Sequence, residues 1–217
     1  MQAQNCSNYP ASWRHHQSAG DFLTPDYYKR IARALEDGKF HLGFFDDRLA
    51  LPDIYGADHK EAVKNGIRVV KMDPVPILAT MAMSTKNLGL AATISTTYDN
   101  AFHIARTMMT LDHMTGGRAG WNVVTSLNDS EAFNMGADGT IEHDRRYDRA
   151  DELMTNIIDM WGAWDSDAIL FDKENDVFAD PEKVRSYNFQ GEWFQTRGTF
   201  TVPPSPQGHP VIVQAGQ

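Results

Sequence analysis

Four short apolar runs alternate with helical segments along this 217-residue chain, and the alternation limits its fold more than any other feature. The runs cover residues 40–45, 88–96, 118–126 and 210–216, and turn residues bound them. Buried strands that alternate with helices form right-handed βαβ units around a parallel sheet. The sequence therefore predicts an α/β fold with four buried parallel strands.

Helical periodicity fills most of the intervals, with Pro and Gly marking its limits. The predicted helices cover about 25–37, 74–85, 101–114 and 144–164. Thr24 and Asn100 are the predicted N-caps of the first and third helices, and Gly116 is the predicted end of the third. We expect loop over 48–72 with a short extended piece at 67–70. We also expect an irregular insertion over 165–209, with a hairpin near 189–200.

The composition argues against several classes of function. The net charge of −9 and the scattered basic residues argue against a nucleic-acid partner, which needs clustered Lys and Arg. No metal-ligand spacing of His and Cys occurs, so no metal site is expected. The single cysteine, Cys6, excludes an internal disulfide and fits a reducing cytoplasm, and a catalytic thiol there is the less favoured interpretation. No apolar run approaches the roughly 18 residues that span a bilayer, so we expect a cytoplasmic protein without a membrane partner.

Polar residues, together with Gly216, cluster at the carboxyl ends of the four apolar runs. The carboxyl ends of parallel strands meet at one rim, where α/β proteins bind their ligands. Any single polar residue there is explained by the strand reaching solvent, but polar residues at four ends favour a binding site. These residues are Asp46, Asp47, Thr96, Thr97, Asn122, Thr125, Ser126, Gln214 and Gly216.

His143 and Tyr147 are spaced i, i+4, so they share one face at the start of the last predicted helix, with Arg146 beside them. A helix N-terminus offers backbone N–H groups and partial positive charge to an anionic ligand. In the alternative interpretation, His143 only caps the helix, Tyr147 packs in the core and the arginines pair with neighbouring aspartates. Spacing alone supports the two equally.

Several segments together resemble one enzyme family. They are SWRH (12–15), DYYKRIARALEDGKFHLGFFDD (26–47), STTYDNAFHIARTMMTLDHMTGGRAGWNVVTS (95–126), EHDRRYDRADELM (142–154), WGAWDSDA (161–168) and PVIVQAG (210–216). They resemble the nitrilotriacetate / dibenzothiophene-sulfone monooxygenase branch of the bacterial-luciferase-like flavin enzymes. The Gly117–Ser126 and Glu142–Asp151 blocks are specific enough to exclude most other barrels.

The resemblance implies a (β/α)8 TIM barrel that binds reduced FMN at its C-terminal rim. Oxygen adds to the flavin, and the resulting peroxyflavin oxygenates a small organic substrate, often with cleavage of a C–N or C–S bond. A separate NADH-dependent flavin reductase supplies the reduced FMN. The resemblance is compatible with a homo-oligomer, and it indicates neither the substrate nor the bond cleaved.

The same resemblance implies five FMN-binding residues and no particular catalytic residue. The five are Asp47, Thr96, Asn122, His143 and Tyr147. The chain reads FFDD at 44–47 where the family reads FFAD, so Asp46 replaces an alanine near the flavin. An extra carboxylate there would disfavour an anionic reduced flavin.

A barrel of this kind needs about 250 residues. The resemblance therefore implies that residues 1–217 form a single partial barrel domain containing about the second to fifth strands. The first strand would precede about Gln4. We expect the isolated chain neither to hold FMN tightly nor to turn over. The alternatives are a deazaflavin-dependent luciferase-like oxidoreductase and an inactive flavin-binding fragment.

Overall fold

A four-stranded parallel sheet forms the centre of the computed structural model, which describes residues 12–215 and so leaves Cys6 and Gly216 outside the described residues. In sheet order the strands are β1 (Leu42–Phe45), β2 (Gly89–Ser95), β3 (Ala119–Val124) and β8 (Val211–Val213). Every neighbouring pair is parallel. The predicted α/β class and its four strands are confirmed, and each strand lies inside its predicted run.

Six α-helices occur within residues 12–215. They are α1 (Pro25–Asp37), α2 (Lys60–Asn65), α3 (Pro74–Ala82), α4 (Ala101–Thr115), α5 (Asp129–Asn134) and α6 (His143–Trp161). The four predicted helices correspond to α1, α3, α4 and α6, with α3 and α6 ending earlier than predicted. The extended piece predicted at 67–70 is wrong, because these residues form bends and coil after α2. No helix in the described range is both long and apolar enough to cross a membrane.

The helix caps follow the sequence at two of three positions. Asn100 caps α4 by accepting the Phe102 N–H at 2.9 Å, and Gly116 ends that helix in the left-handed conformation at φ +68°. Thr24 precedes α1 as predicted but makes no side-chain cap. Its hydroxyl instead donates to the Asp21 carbonyl at 2.8 Å, so the predicted capping role is wrong.

The hydrophobic core lies between the sheet and its helices. Trp121 on β3 is fully buried and meets Trp161 of α6 edge to face, with ring centroids 6.4 Å apart. The Trp161 indole donates to the Ala105 carbonyl of α4 at 3.0 Å, which joins the two helices. Because side chains alternate along a strand, Asn122 points to the opposite face, where the chain places its polar residues.

The insertion over 165–209 contains two antiparallel hairpins. The first joins β4 (Ile169–Asp172) to β5 (Val177–Ala179) and was not predicted, whereas the second joins β6 (Ser186–Gln190) to β7 (Gln195–Thr199) and confirms the predicted hairpin. The Glu152 carboxylate of α6 accepts the backbone N–H groups of residues 192, 193 and 194 at 2.9, 2.8 and 2.6 Å. This contact fixes the second hairpin against α6.

Candidate active site

A cavity of about 360 Å³ opens at the carboxyl edge of the sheet, where polar residues were predicted to gather. Residues from all four parallel strands or the turns after them line it, together with α5 and α6. The polar lining residues are Asp46, Asp47, Thr93, Ser95, Asn122, Thr125, Ser126, Asn128, Glu131, Tyr147 and Gln214. We call this space the mouth cavity. Three of the five predicted FMN-binding residues, Asp47, Asn122 and Tyr147, line it.

Asp47 is partly buried just beyond β1. Its Oδ1 accepts the Arg48 N–H at 2.8 Å. Burial raises the pKa of Asp47 to about 6 from an ordinary 3.8, while the Arg48 N–H and the positive charge of Lys71 act in the opposite direction. Asp47 therefore changes between acid and carboxylate near pH 6.

Asn122 is buried on β3 in a short hydrogen-bonded chain across three strands. Its Nδ2 donates to Thr93 Oγ1 at 3.0 Å, and the Thr93 hydroxyl donates to the Phe45 carbonyl at 2.8 Å. Thr93 and Asn122 are also paired in register between β2 and β3. These hydrogen bonds therefore fix the orientation of the Asn122 side-chain amide. A prepositioned amide is suited to recognising the polar edge of a planar ligand.

Tyr147 and His143 lie together on α6, as their spacing predicted. Their ring centroids are 5.0 Å apart. Tyr147 is about half exposed and lines the mouth cavity, whereas His143 is exposed, lies outside its lining, and places Nδ1 2.8 Å from Asp144 Oδ1. Only the phenol of this pair therefore contributes to the cavity wall.

The N-terminus of α6 differs from both interpretations of the sequence. Glu142 is the N-cap, and its carboxylate accepts the Asp144 and Arg145 N–H groups at 3.0 and 3.2 Å. These N–H groups, predicted to be free for an anionic ligand, are therefore occupied by the chain's own carboxylate.

The alternative pairing of the arginines with neighbouring aspartates is also wrong. Arg145 binds Glu192, whereas Arg146 and Arg149 donate to the carbonyls of Ser126 and Thr96. The arginines of α6 thus hold the insertion and the strand ends in place.

Thr96 does not line the mouth cavity. It is fully buried one residue beyond β2, and its hydroxyl donates to the Val124 carbonyl at 3.1 Å. Thr93 and Ser95 line the cavity instead, because their side chains alternate onto the inner face of β2. Counting every second residue back from Ser95, the last residue of β2, would have identified both Ser95 and Thr93 from the sequence.

Two charged residues at the site had no signal in the sequence. Lys71 places its Nζ 2.5 Å from Asp46 Oδ1, so the extra carboxylate of this chain is paired. Glu131 of α5 is buried, and its Oε1 accepts the Leu49 N–H at 3.2 Å, while Asn134 Nδ2 donates to the Leu49 carbonyl at 2.8 Å. Both polar groups of Leu49 are therefore held by α5.

The parallel sheet with a polar cavity at its carboxyl edge is the architecture of a (β/α) barrel enzyme, present here as a four-stranded part. Residues 6–217 match the family model described as luciferase-like monooxygenase, and the chain belongs to that family. The resemblance identified in the sequence is thus confirmed.

Named relatives agree with this assignment. The dibenzothiophene-sulfone monooxygenase of Rhodococcus erythropolis is 50% identical over 215 residues, which are 99% of this chain and 48% of that protein. The crystal structure of a long-chain alkane monooxygenase superposes with a TM-score of 0.94 at 39% identity, over 98% of this chain and 50% of that one. A riboflavin lyase solved with modified FMN and riboflavin superposes at 0.92 with 36% identity, over 100% of this chain and 48% of that one. The chain spans about half the length of the curated relatives it matches.

Proposed function

We propose that this chain forms the flavin-binding part of a two-component monooxygenase that uses reduced FMN and O2 to oxygenate a small organic substrate. The observation that carries the proposal is the meeting of Asp47, Asn122 and Tyr147 at one cavity in a member of the luciferase-like monooxygenase family. These residues reach the cavity from β1, β3 and α6, so the fold itself brings them together.

The chemistry of the mouth cavity suits the ring of FMN. Its volume of about 360 Å³ lies in the usual range for small-ligand pockets, roughly 300–1,000 Å³. The polar edge of a flavin ring alternates N–H and carbonyl groups, for which Asp47 supplies an acceptor and Asn122 an amide. Val124, Leu127 and Tyr147 offer apolar surface for the ring faces. Bound FMN would supply the oxygen chemistry, and the protein residues would orient it and exclude water.

Thr96 and His143 keep a place in the proposal as neighbours of this site. Thr96 fixes the end of β2 through the Val124 carbonyl, and His143 packs against the Tyr147 ring. We further propose that an NADH-dependent flavin reductase delivers the reduced FMN in the cytoplasm. Relatives named for dibenzothiophene sulfone, dimethyl sulfide and nitrilotriacetate favour an organic sulfur or nitrogen compound, for which we propose cleavage of a C–S or C–N bond. Another relative is named for long-chain alkanes, and the mouth cavity does not select one substrate.

FMN titration followed by flavin fluorescence tests the proposal. We expect the 217-residue chain to bind weakly and a chain of the relatives' full length to bind tightly and to consume O2 with a reductase and NADH present. Submicromolar binding by the short chain would contradict the expectation that further strands are needed. Absence of binding and of oxygen uptake in both would refute the proposal. Preference for a deazaflavin, without oxygen uptake, would favour a hydride-transferring oxidoreductase.

The matched variant is Asn122→Leu. It removes the amide at the cavity wall while keeping a side chain of similar size. We expect at least a tenfold loss of FMN affinity, corresponding to about 1.4 kcal/mol or more. The control is Asn188→Leu on β6 in the insertion, which lies outside the lining of the mouth cavity and should not change FMN affinity.

A further inference from the structure

The strand β1 ends in two adjacent carboxylates, Asp46 and Asp47, and both line the mouth cavity. Both side chains are only partly exposed. Burial raises the pKa of Asp47 and the charge of Asp46 adds to the increase, so a nearby cation favours the Asp47 carboxylate.

Lys71 provides that cation from the segment before α3. Its side chain is only 8% exposed, and its Nζ lies 2.5 Å from Asp46 Oδ1 and 3.3 Å from the Asp46 carbonyl oxygen. An ammonium group that is nearly buried is stable only when it is paired and hydrogen-bonded. Lys71 therefore binds both the side chain and the main chain of one residue.

The main-chain contact bears directly on Asp47. The Asp46 carbonyl belongs to the peptide unit whose nitrogen is that of Asp47, so Lys71 holds this peptide in place. On the other side, the Arg48 N–H donates to Asp47 Oδ1 at 2.8 Å. The backbone before Asp47 is thus held by Lys71, and the Asp47 carboxyl itself is held by the Arg48 N–H.

We propose that Lys71 is a positioning residue for Asp47. By binding Asp46 through two oxygens, its ammonium cancels the extra negative charge and keeps Asp47 an anionic acceptor directed at the mouth cavity. The consequence for FMN rests on the proposed function, whereas the effect on Asp47 does not. The Asp46–Lys71 pair also explains how a member of the family can carry FFDD in place of FFAD at the end of β1.

The charged groups around Asp47 agree with this role. Lys71 and the Arg48 N–H lower the pKa of Asp47, whereas burial, Asp73 and Asp46 raise it. Glu131 of α5 lines the mouth cavity as well and is a further acidic residue of its wall. Lys71 is the cation whose charge lowers the pKa of Asp47, while Arg48, Arg68 and His103 also line a neighbouring cavity with Asp47.

Carboxyl ¹³C NMR titration of Asp47 in the whole 217-residue chain tests the proposal without flavin. We expect the Asp47 midpoint near 6 in the parent protein. Lys71→Met should raise the midpoint by about one pH unit or more, the usual effect of losing one close opposite charge. Lys71→Arg should restore a midpoint close to the parent value. Lys64→Met, on an exposed lysine of α2, is the matched control and should leave the midpoint unchanged.

The double variant Asp46→Ala/Lys71→Met separates charge pairing from a general loss of structure. It removes both members of the ion pair, which folded proteins tolerate better than the loss of one. Its Asp47 midpoint should lie below that of Lys71→Met. The proposal is overturned if Lys71→Met titrates like the parent protein, or if the double variant titrates like Lys71→Met. If Lys71→Met does not fold, Asp46→Asn provides the test instead. It removes the negative charge of Asp46 and should lower the Asp47 midpoint. An unchanged or higher midpoint would overturn the proposal.

FMN titration of the same variants connects the pair to ligand binding. Lys71→Met should weaken FMN binding about tenfold, and the double variant should bind several-fold more tightly than Lys71→Met. A parent protein that binds no FMN, even at full length, would count against the proposed function, while the carboxyl titration would still decide the role of Lys71. The two failures are thus distinguishable.

Discussion

Asp47→Asn is expected to stabilise the folded protein, and the gain should depend on pH. In the folded state burial raises the pKa of Asp47 to about 6, whereas the unfolded chain has the ordinary value of 3.8. The folded state therefore holds the proton more tightly, and Asp47 costs stability increasingly as the pH rises from about 4 to about 6. Asparagine is neutral at every pH, so it avoids this cost.

The size of the gain follows from the two pKa values. The interval between 3.8 and about 6 corresponds to about 3 kcal/mol, at about 1.4 kcal/mol for each pH unit. We therefore expect Asp47→Asn to raise the free energy of unfolding by up to about 3 kcal/mol above pH 6. The difference should fall to about 0.5 kcal/mol near pH 4, where the unfolded carboxyl is about half ionised, and should vanish only below about pH 3, where the parent carboxyl is protonated in both states.

Urea unfolding of the parent protein and the variant, at about pH 4, 5.5 and 7.5, measures this difference. Asp37→Asn, exposed at the end of α1, is the control and should change the free energy of unfolding by less than about 0.5 kcal/mol at each pH. A variant that is less stable than the parent at neutral pH, or a gain that does not vary with pH, would refute the argument. A stabilising substitution at a cavity residue is also the pattern expected when a residue is kept for function.

Three further expectations concern packing and binding. Glu152→Ala should lower the free energy of unfolding by about 2–3 kcal/mol in urea titrations, because three backbone N–H groups lose a charged acceptor, and Glu152→Gln should lose less. Gly191→Ala should destabilise the same turn, because an added Cβ would lie 2.1 Å from Glu152 Oε1; an unchanged melting temperature would contradict this geometry. Trp161→Ala should lower the free energy of unfolding by about 3–5 kcal/mol, because it removes the ring that packs against Trp121 and leaves a cavity. Calorimetry should show this loss of stability.

The sequence predicted the elements that carry a clear local pattern. The helices α1, α4 and α6 have an apolar helical period, and the four strands are continuous apolar runs bounded by turn residues, so all seven could be located within a few residues. The helices α2 and α5 are six residues each, which is too short for a period to stand out, and both were missed. Thr24 was an acceptable cap by residue type, but its hydroxyl had a competing acceptor in the preceding turn.

The candidate site divides in the same way. Asp47 and Asn122 could be placed at the rim because strand ends locate them, and Tyr147 because the helix spacing directs it. Lys71 could not be placed there from the sequence. Its partner Asp46 lies on the other side of residues 48–70, which have no regular apolar pattern. The Glu142 cap was equally hidden, because it depends on a rotamer that residue order does not specify.

The contact between α5 and Leu49 has a mechanical consequence. A helix of six residues has little stability of its own, so α5 keeps its shape through what it touches. Glu131 accepts the N–H of Leu49, and Asn134 donates to the carbonyl of Leu49. Leu49 lies two positions after Asp47. We therefore expect the two sides of the opening to move together, so that a substitution that displaces α5 also displaces Asp47 through the short segment from Leu49 back to Asp47.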